Sequence, residues 1–237
     1  MESLVVVACA PGLEALTARL QVRFEAADAA AASLAFVDAA AALARGFKQS
    51  TVPSDGNRKV VLLVRPGQGD ESLARVLEGV PARTVEVPAD QVDAAVAEAV
   101  RHEVDRGARS VVVASVLAPT LPPYLLDHAF RALLFHDLVV GPDFAGHTYL
   151  LGVRRPPPSF ALDLHWDPTP AVSTVLDAAA RGTNMTMLPF WYQLGDDASL
   201  AWLETHLRVL RGRPWLLASA LPDLVERANR SESPLAP

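Results

Sequence analysis

Apolar residues gather in short runs along the chain, and each run ends where the sequence favours a turn. Leu4–Ala8 is followed by Ala10-Pro11-Gly12, and Lys59–Arg65 is followed by Pro66-Gly67. Ser110–Ala114 is a third run, ahead of a proline-rich segment. Short, Val-rich runs bounded by Gly or Pro are typical of strands that are buried on both faces of a sheet. The pattern therefore predicts three buried β-strands.

Other segments alternate with these strands. Further extended segments are predicted at Thr84–Val87, Leu138–Val140 and Thr148–Val153. Helices are predicted within residues 14–47 and at Glu71–Gly79, Gln91–Arg106, Pro122–Leu134 and Ser199–Leu210, and Val172 and Leu176 keep a helical spacing. Strands that alternate with helices predict a three-layer α/β/α fold with a mostly parallel, Rossmann-like sheet. We expect a single domain over residues 1–228 and a flexible tail over 229–237, since no linker divides the chain.

The composition of the chain argues against several classes of function. The 237 residues are 51% hydrophobic with a net charge of −6, the sequence pI is about 5.5 and the mean hydropathy is +0.21. This balance offers no basic field for nucleic acid or an anionic membrane surface, and no apolar run approaches the ~20 residues of a membrane-spanning helix. A cytoplasmic protein is expected. The lone Cys9 excludes an internal disulfide and, inside an apolar strand, is predicted to be a buried structural thiol.

Two runs of sequence carry a resemblance to a known family. Residues 141–152 read Gly-Pro-Asp-Phe-Ala-Gly-His-Thr-Tyr-Leu-Leu-Gly, and residues 10–20 read Ala-Pro-Gly-Leu-Glu-Ala-Leu-Thr-Ala-Arg-Leu. With Trp166 and Leu188-Pro189-Phe190-Trp191-Tyr192, they resemble the GT-A nucleotide-diphospho-sugar transferase superfamily. The similarity is to its glycosyltransferase-like family associated with radical-SAM and selenodomain proteins (domain of unknown function 2064), and it covers most of residues 3–207. The resemblance implies a GT-A fold.

The chain differs from that family at the residues that, in the family, imply metal and phosphate binding. The family carries metal-organising acids where this chain has Leu117, Ala145, Gln193 and Gly195. In the first loop the family carries two basic residues that imply phosphate binding, and this chain has Ala15 and Thr17 at those positions. Where the family has a glycine in the same loop, this chain has Glu14. Mg²⁺ prefers oxygen ligands, commonly carboxylates and phosphates. We therefore expect no cofactor and no divalent metal.

Seven residues in these runs are candidate ligand contacts, and three polar residues are candidate catalytic groups. The candidate ligand contacts are Pro11, Gly12, Arg19, Gly146, Tyr149, Trp166 and Tyr192. The candidate catalytic residues are His147, His165 and Asp167. If Asp163–Asp167 is extended, its two carboxylates and imidazole share one face and could bind Zn²⁺ or orient a base. Each candidate has a plainer alternative: a surface ion pair for Arg19, core packing for the aromatic residues, filled volume for His147 and a solvated loop for Asp163–Asp167.

Three functions remain open on this sequence. The first is a non-catalytic binding or interaction module, with a weakly bound nucleotide or sugar nucleotide, a protein partner or a homo-oligomer. The second is a metal-independent nucleotide-sugar or nucleotidyl transferase in which Arg19 and His147 or His165 offset leaving-group charge. The third is a metal enzyme with its site moved to Asp163, His165 and Asp167. The donor, acceptor and partner are not specified by any residue.

Overall fold

A computed structural model describes residues 1–9, 38–39, 41–48, 57–66, 78, 82–163, 166 and 170–209. Its strands are β1 (Glu2–Val7), β2 (Arg58–Val64), β3 (Arg83–Glu86), β4 (Ser110–Ser115), β5 (Leu138–Pro142), β6 (Thr148–Arg154) and β7 (Met185–Met187). Its main helices are α1 (Val92–Asp105), α2 (Pro123–Ala132), α3 (Ala171–Ala180) and α4 (Asp197–Val209). Short 3₁₀ helices span Ala89–Gln91 and Ser159–Leu162. Residues 38–39 and 41–48 are also helical.

The strands form one seven-stranded sheet in the order β3-β2-β1-β4-β6-β5-β7. Every neighbouring pair is parallel except the two that involve β6, which runs antiparallel to both β4 and β5. The prediction of a mixed α/β fold with a mostly parallel sheet is confirmed. The strand β7 was not predicted, because its three residues are too few to produce a periodic signal.

The strands are buried as their composition indicates. From Leu4 to Val7, and at every position of β4 and β5, the residues are buried on both faces. Such strands read as continuous apolar runs because helices cover both sides of a parallel sheet. Cys9 is fully buried at the end of β1, as predicted, and burial raises the pKa of its thiol to about 11.

The ends of two helices agree with their sequence signals. Gly107 follows α1 with φ +95°, a left-handed conformation that glycine adopts readily. Asp196 caps α4 through Oδ1, which accepts from the Ser199 backbone N–H at 2.8 Å, while the Ser199 hydroxyl oxygen accepts from the Asp196 N–H at 3.1 Å. Such a reciprocal pair is the ordinary role of Asp at the start of a helix.

One helix differs in detail, and parts of the prediction lie beyond the described residues. Helix α3 forms where Val172 and Leu176 predict it, but both side chains are about two-thirds exposed and the buried face holds Ala171, Thr174 and Ala178. Three parts of the prediction lie outside the described part of the chain: residues 14–37, the predicted helix at 71–79 apart from Glu78, and the tail at 229–237. Within the described part, no helix has both the length and the apolar character to cross a bilayer.

Candidate functional site

The turn after β5 and the segment after β7, which carry two of the runs that resemble the family, lie at one edge of the sheet. The carboxyl ends of β1, β2, β4, β5 and β7 meet there because these strands run in the same direction, and β6 begins at the same edge. In open α/β sheets this edge is where ligands bind, near the point at which strand order reverses. Here the reversal lies between β1 and β4, where the Val116 N–H donates to the Val7 carbonyl oxygen at 3.1 Å.

The turn between β5 and β6 is organised by Asp143. Its Oδ1 accepts hydrogen bonds from the backbone N–H groups of Ala145 at 2.8 Å and His147 at 2.7 Å. Its own N–H donates to the His147 carbonyl oxygen at 2.7 Å, and Gly146 completes the turn with φ +87°. A short carboxylate side chain that accepts from nearby backbone donors is a common way to fix a tight turn.

The second carboxylate oxygen of Asp143 faces two polar side chains. Gln193 Nε2 donates to Oδ2 at 3.3 Å, and His147 Nδ1 lies 3.5 Å from the same oxygen. Asp143 is 3% exposed, whereas 39% of the His147 side chain is exposed. Such a carboxylate can orient a neighbouring imidazole and select the tautomer with hydrogen on Nδ1.

Asp143 is the functional candidate that sequence reasoning missed. Asp143 stands two positions before Ala145, the residue that aligns with the family's acid. A position-by-position alignment therefore does not match Asp143 to that acid. Its contact with Gln193 joins residues 50 positions apart. No local spacing signals such a contact, although an Asp beside a Pro in a glycine-rich run is a recognisable turn signal.

The four positions where the family resemblance implies acids have other roles in the structure. Leu117 is buried in the core, and its carbonyl oxygen accepts from the Leu194 N–H at 2.7 Å. Ala145 presents an exposed methyl group. Gln193 pairs with Asp143, and the Gly195 N–H donates to the Ser199 hydroxyl oxygen at 3.0 Å. Within the described ranges, no three or more His, Cys, Asp or Glu side chains are grouped so that they could hold a metal ion.

Three aromatic residues predicted as ligand contacts lie in the interior. Tyr149 is fully buried, and its hydroxyl donates to the Pro189 carbonyl oxygen at 2.8 Å. Tyr192 is 5% exposed, and its hydroxyl oxygen accepts from Thr120 Oγ1 at 2.7 Å. Burial raises the pKa of both phenols well above the ordinary value. Trp166 is also 5% exposed, and its backbone N–H donates to Asp93 Oδ1 at 2.6 Å. These three residues therefore pack inside the protein, in line with the plainer alternative of core packing.

A second aromatic feature, which the sequence analysis did not identify, lies on the surface beside Asp143. Phe144 is 72% exposed and Phe190 is 53% exposed. Their rings stack with centroids 5.8 Å apart and an interplanar angle of 14°. The two segments that carry them are joined by a bridge between Asp143 and Trp191, in which the Trp191 N–H donates to the Pro142 carbonyl oxygen at 3.2 Å. We call Phe144 and Phe190 the Phe pair.

Several predicted residues cannot be located relative to this edge. Pro11, Gly12, Arg19, His165 and Asp167 lie outside the described part of the chain, so their roles stay predictions. Asp163 is described and exposed, next to the 3₁₀ helix Ser159–Leu162. Arg65 follows β2, toward the other end of this edge. Burial raises the pKa of the Cys9 thiol, and the positive charge of Arg65 offsets part of that rise.

Comparisons with known proteins agree with this fold. Residues 48–167 match the model of a family described as an uncharacterized protein conserved in bacteria (DUF2064). No curated protein matches the sequence. A solved structure from Desulfovibrio desulfuricans G20, assigned as a nucleotide-diphospho-sugar transferase, is similar with a TM-score of 0.70 and 16% identity, over 97% of this chain and 95% of that one.

Two further solved structures share the architecture. A nucleotidyl transferase from Methanothermobacter has a TM-score of 0.55 and 15% identity, with 88% of this chain and 99% of that one covered. A cytidylyltransferase from Leptospira borgpetersenii has a TM-score of 0.51 and 10% identity, with 100% and 98% covered. At these identities, the likeness establishes a common fold.

Proposed function

The chain belongs to the bacterial family DUF2064, and we propose that it is a glycosyltransferase-like protein that has lost the residues for a divalent metal and nucleotide phosphates. In this proposal it serves as a non-catalytic binding or interaction module. The proposal rests on the burial and the hydrogen-bond partners of Asp143. It is a buried carboxylate beside Gln193, and its oxygens already face backbone donors, an amide and an imidazole.

The chemistry of the donor set supports this proposal. Mg²⁺ and Mn²⁺ require several oxygen ligands, and each carboxylate ligand must direct a lone pair at the ion. Asp143 Oδ1 accepts two backbone hydrogen bonds, and Oδ2 accepts from Gln193. Leu117 and Ala145 carry no ligand atom in their side chains. The residues that the structure describes at this edge therefore do not fit a resident divalent cation, and no step is assigned to one.

A specific contact favours one alternative, a metal-independent nucleotide-sugar or nucleotidyl transferase. With Nδ1–H turned toward Asp143 Oδ2, the His147 imidazole has Nε2 available to accept a proton or to hydrogen-bond a leaving group. Asp143 would act as a positioning residue for that ring. Arg19 and His165, the other groups of this alternative, lie outside the described residues.

A thermal-shift panel on the full chain separates the two functions. Nucleoside triphosphates and UDP are tested with and without Mg²⁺ or Mn²⁺. The module predicts the same melting temperature in every condition, because no site couples a nucleotide to a cation. A rise in melting temperature that requires Mg²⁺ or Mn²⁺ would contradict the proposal that the metal site has been lost. A rise with nucleotide alone that disappears in Arg19→Ala and His147→Ala would favour the transferase alternative, and release of UDP from a sugar nucleotide by the wild type would then establish it.

A further inference from the structure

We infer that two copies of this chain associate as a symmetric dimer through the outer edge of strand β7. We call this surface the β7 edge: strand β7 itself, Val172 and Leu176 on α3, the Phe pair, and Leu134 with Phe135. The inference goes beyond the proposed function and does not depend on it, because it uses an edge strand and not the loss of metal ligands.

The backbone of β7 is open on one side. The strand is the last of the described sheet at this side. The Leu188 N–H donates to the Val140 carbonyl oxygen at 2.9 Å, so its backbone groups face β5. Backbone groups alternate in direction along a strand, so Thr186 also faces β5 while Met185 and Met187 face outward. The outward N–H and C=O groups have no partner within the described residues, and such groups can pair with a further strand.

A second, antiparallel copy of β7 satisfies these groups. With a two-fold axis at Thr186, Met185 of each copy lies opposite Met187 of the partner subunit. Each of these is a hydrogen-bonded pair that exchanges two N–H···O=C bonds, and Thr186 faces its own counterpart as a non-hydrogen-bonded pair. The pairing therefore uses the same groups of both copies, as a two-fold interface requires.

Charge distinguishes this edge from the other side of the sheet. From Thr183 to Gly195 the chain contains no Asp, Glu, Lys or Arg. Strand β3, at the opposite side, carries exposed Arg83 and Glu86. Edge strands that stay unpaired are commonly protected by such charges, whereas the centres of protein interfaces are depleted of them. The two edges therefore differ in the way expected if only β7 is covered by a partner.

Exposed apolar side chains lie at both ends of β7, which suits a two-fold contact. The Phe pair follows its carboxyl end. At its amino end, Asn184 Nδ2 donates to the Phe135 carbonyl oxygen at 2.7 Å, and the side chains of Leu134 and Phe135 are exposed. In an antiparallel dimer the carboxyl end of one β7 lies beside the amino end of the other. The apolar groups at the two ends therefore meet across the interface.

Helix α3, which packs on β5, adds an apolar flank beside β7. At its end Arg181 lies over the Phe160 ring at 5.3 Å, and Phe160 belongs to the 3₁₀ helix that packs against α1 on the β4 side. At about 100° per residue, Val172 is on the opposite side of α3 from Arg181. Val172 and Leu176, one turn further on, therefore face the side of β7 with their exposed side chains.

The exposed area is sufficient for a stable dimer. Ten large apolar side chains are exposed in the described part of the chain, and seven of them belong to the β7 edge. At roughly 100 Å² of exposed area for each, they offer about 700 Å². A standard interface buries about 800 Å² on each partner, of which about 65% is apolar in homodimers. The β7 edge exceeds the roughly 500 Å² of apolar area that this requires.

The test is sedimentation velocity ultracentrifugation of the full chain at micromolar concentration. We expect a particle of twice the 25.3 kDa chain mass. Met187→Lys should weaken the association at least about tenfold, since the two-fold axis brings two unpaired charges into the interface. Thr84→Lys is the matched control, because it places the same charge at an exposed position of the other edge strand and should leave the dimer intact.

A cysteine variant adds a gain of signal that does not depend on disrupting the protein. Thr186→Cys should form an intermolecular disulfide under mild oxidation, because the Cα atoms of an opposed non-hydrogen-bonded pair lie about 4.5 Å apart, within the range that a disulfide spans. Thr84→Cys is the control and should remain a single chain on a non-reducing gel. The native Cys9 is fully buried, away from any partner.

A dimer that Met187→Lys weakens and that Thr186→Cys cross-links supports the inference. It is overturned if the chain sediments as a monomer throughout, including a monomer that binds only a different protein. It is also overturned if Thr84→Lys weakens the dimer as much as Met187→Lys, or if a dimer forms that Thr186→Cys does not cross-link. The thermal-shift panel with nucleotides and metals tests the proposed function separately, and its result leaves the mass of the particle unchanged.

Discussion

Gln193 Nε2 lies 3.3 Å from Asp143 Oδ2, so an amide donor fills a position where the family resemblance implies an acid. This contact joins the segment after β7 to the turn after β5. An amide stabilises the buried carboxylate by donating to it, whereas a second carboxylate would repel it. A substitution at Gln193 can therefore test whether a second carboxylate at this position lets the edge of the sheet bind a cation.

We expect Gln193→Glu to lower the free energy of unfolding by about 2 kcal/mol at pH 7, because a hydrogen bond is replaced by like-charge repulsion. The loss should shrink as the pH falls and a carboxylate becomes protonated. Mn²⁺ should restore part of the stability, since two adjacent carboxylates now face the same space. Chemical denaturation with and without Mn²⁺ measures this. Gln193→Leu is the control, and an equal response to Mn²⁺ in the wild type or in that control would contradict the interpretation.

The second prediction concerns Gly141 and Tyr149, which are packed against each other. A Cβ atom at Gly141 would lie 2.6 Å from Cζ of the Tyr149 ring, which is fully buried. We expect Gly141→Ala to cost about 1–3 kcal/mol by overpacking. The double variant Gly141→Ala/Tyr149→Leu should be less destabilised than the sum of the single variants. Additive single-variant effects in urea unfolding would show that this contact is not the cause.

Two buried threonines form a matched pair for the third prediction. Thr120 Oγ1 donates to the Tyr192 hydroxyl, whereas Thr148 Oγ1 is buried without a hydrogen-bond partner. Valine has nearly the same shape as threonine. Thr120→Val should cost about 1–3 kcal/mol, since it removes the shorter of the two hydrogen bonds of the buried Tyr192 hydroxyl and leaves only the 3.3 Å contact with His206. Thr148→Val should be neutral or stabilising. Thermal unfolding of both variants decides this, and a large loss in Thr148→Val would refute it.

The fourth prediction concerns acid stability and His206. Burial lowers the pKa of its imidazole below the ordinary 6.5. The ring stacks on Trp191 at 5.0 Å, and its Nδ1 lies 3.3 Å from the Tyr192 hydroxyl. Below pH 6.5 the unfolded chain binds this proton more readily than the folded chain, so stability falls as the pH decreases toward the folded pKa. Stability above pH 6.5 is unaffected by this group.

Denaturation curves between pH 5 and 8 test that prediction. The wild type should lose stability below pH 6.5, and His206→Phe should lose less over the same interval. His102→Gln, at an exposed position of α1, is the matched control and should follow the wild type. An unchanged pH dependence in His206→Phe would rule out His206 as the source.

Local sequence patterns were sufficient for most strands and several helix ends. Val-rich runs predicted β1, β2 and β4 because strands buried on both faces are apolar at every position. Gly107 and Asp196 are recognisable signals of helix ends because each acts through backbone geometry within a few residues. The antiparallel direction of β6 was not predictable, since its apolar run is equally compatible with either direction.

The sequence pointed to a run of residues, but it did not reveal which side chains of that run are buried and which are exposed. The run 141–152 carried the family resemblance, and the interpretation of it rested on Ala145 and His147. The buried carboxylate is Asp143, and the exposed aromatic residues are Phe144 and Phe190. Tyr149 and Tyr192, which were candidate ligand contacts, are buried with their hydroxyls paired inside the protein. Aromatic residues look alike in a sequence whether they face the core or the solvent.

By itself, the sequence determined the class of fold and the residue types available at the edge of the sheet. These follow from hydrophobic runs, turn residues and composition, which act over a few positions. The tertiary structure alone decided that Gln193 meets Asp143 across 50 positions, and that Phe144 and Phe190 stack on the surface. Those contacts depend on which strands become neighbours in the sheet. Strand order is set by the packing of the whole domain, so local spacing in the chain does not reveal it.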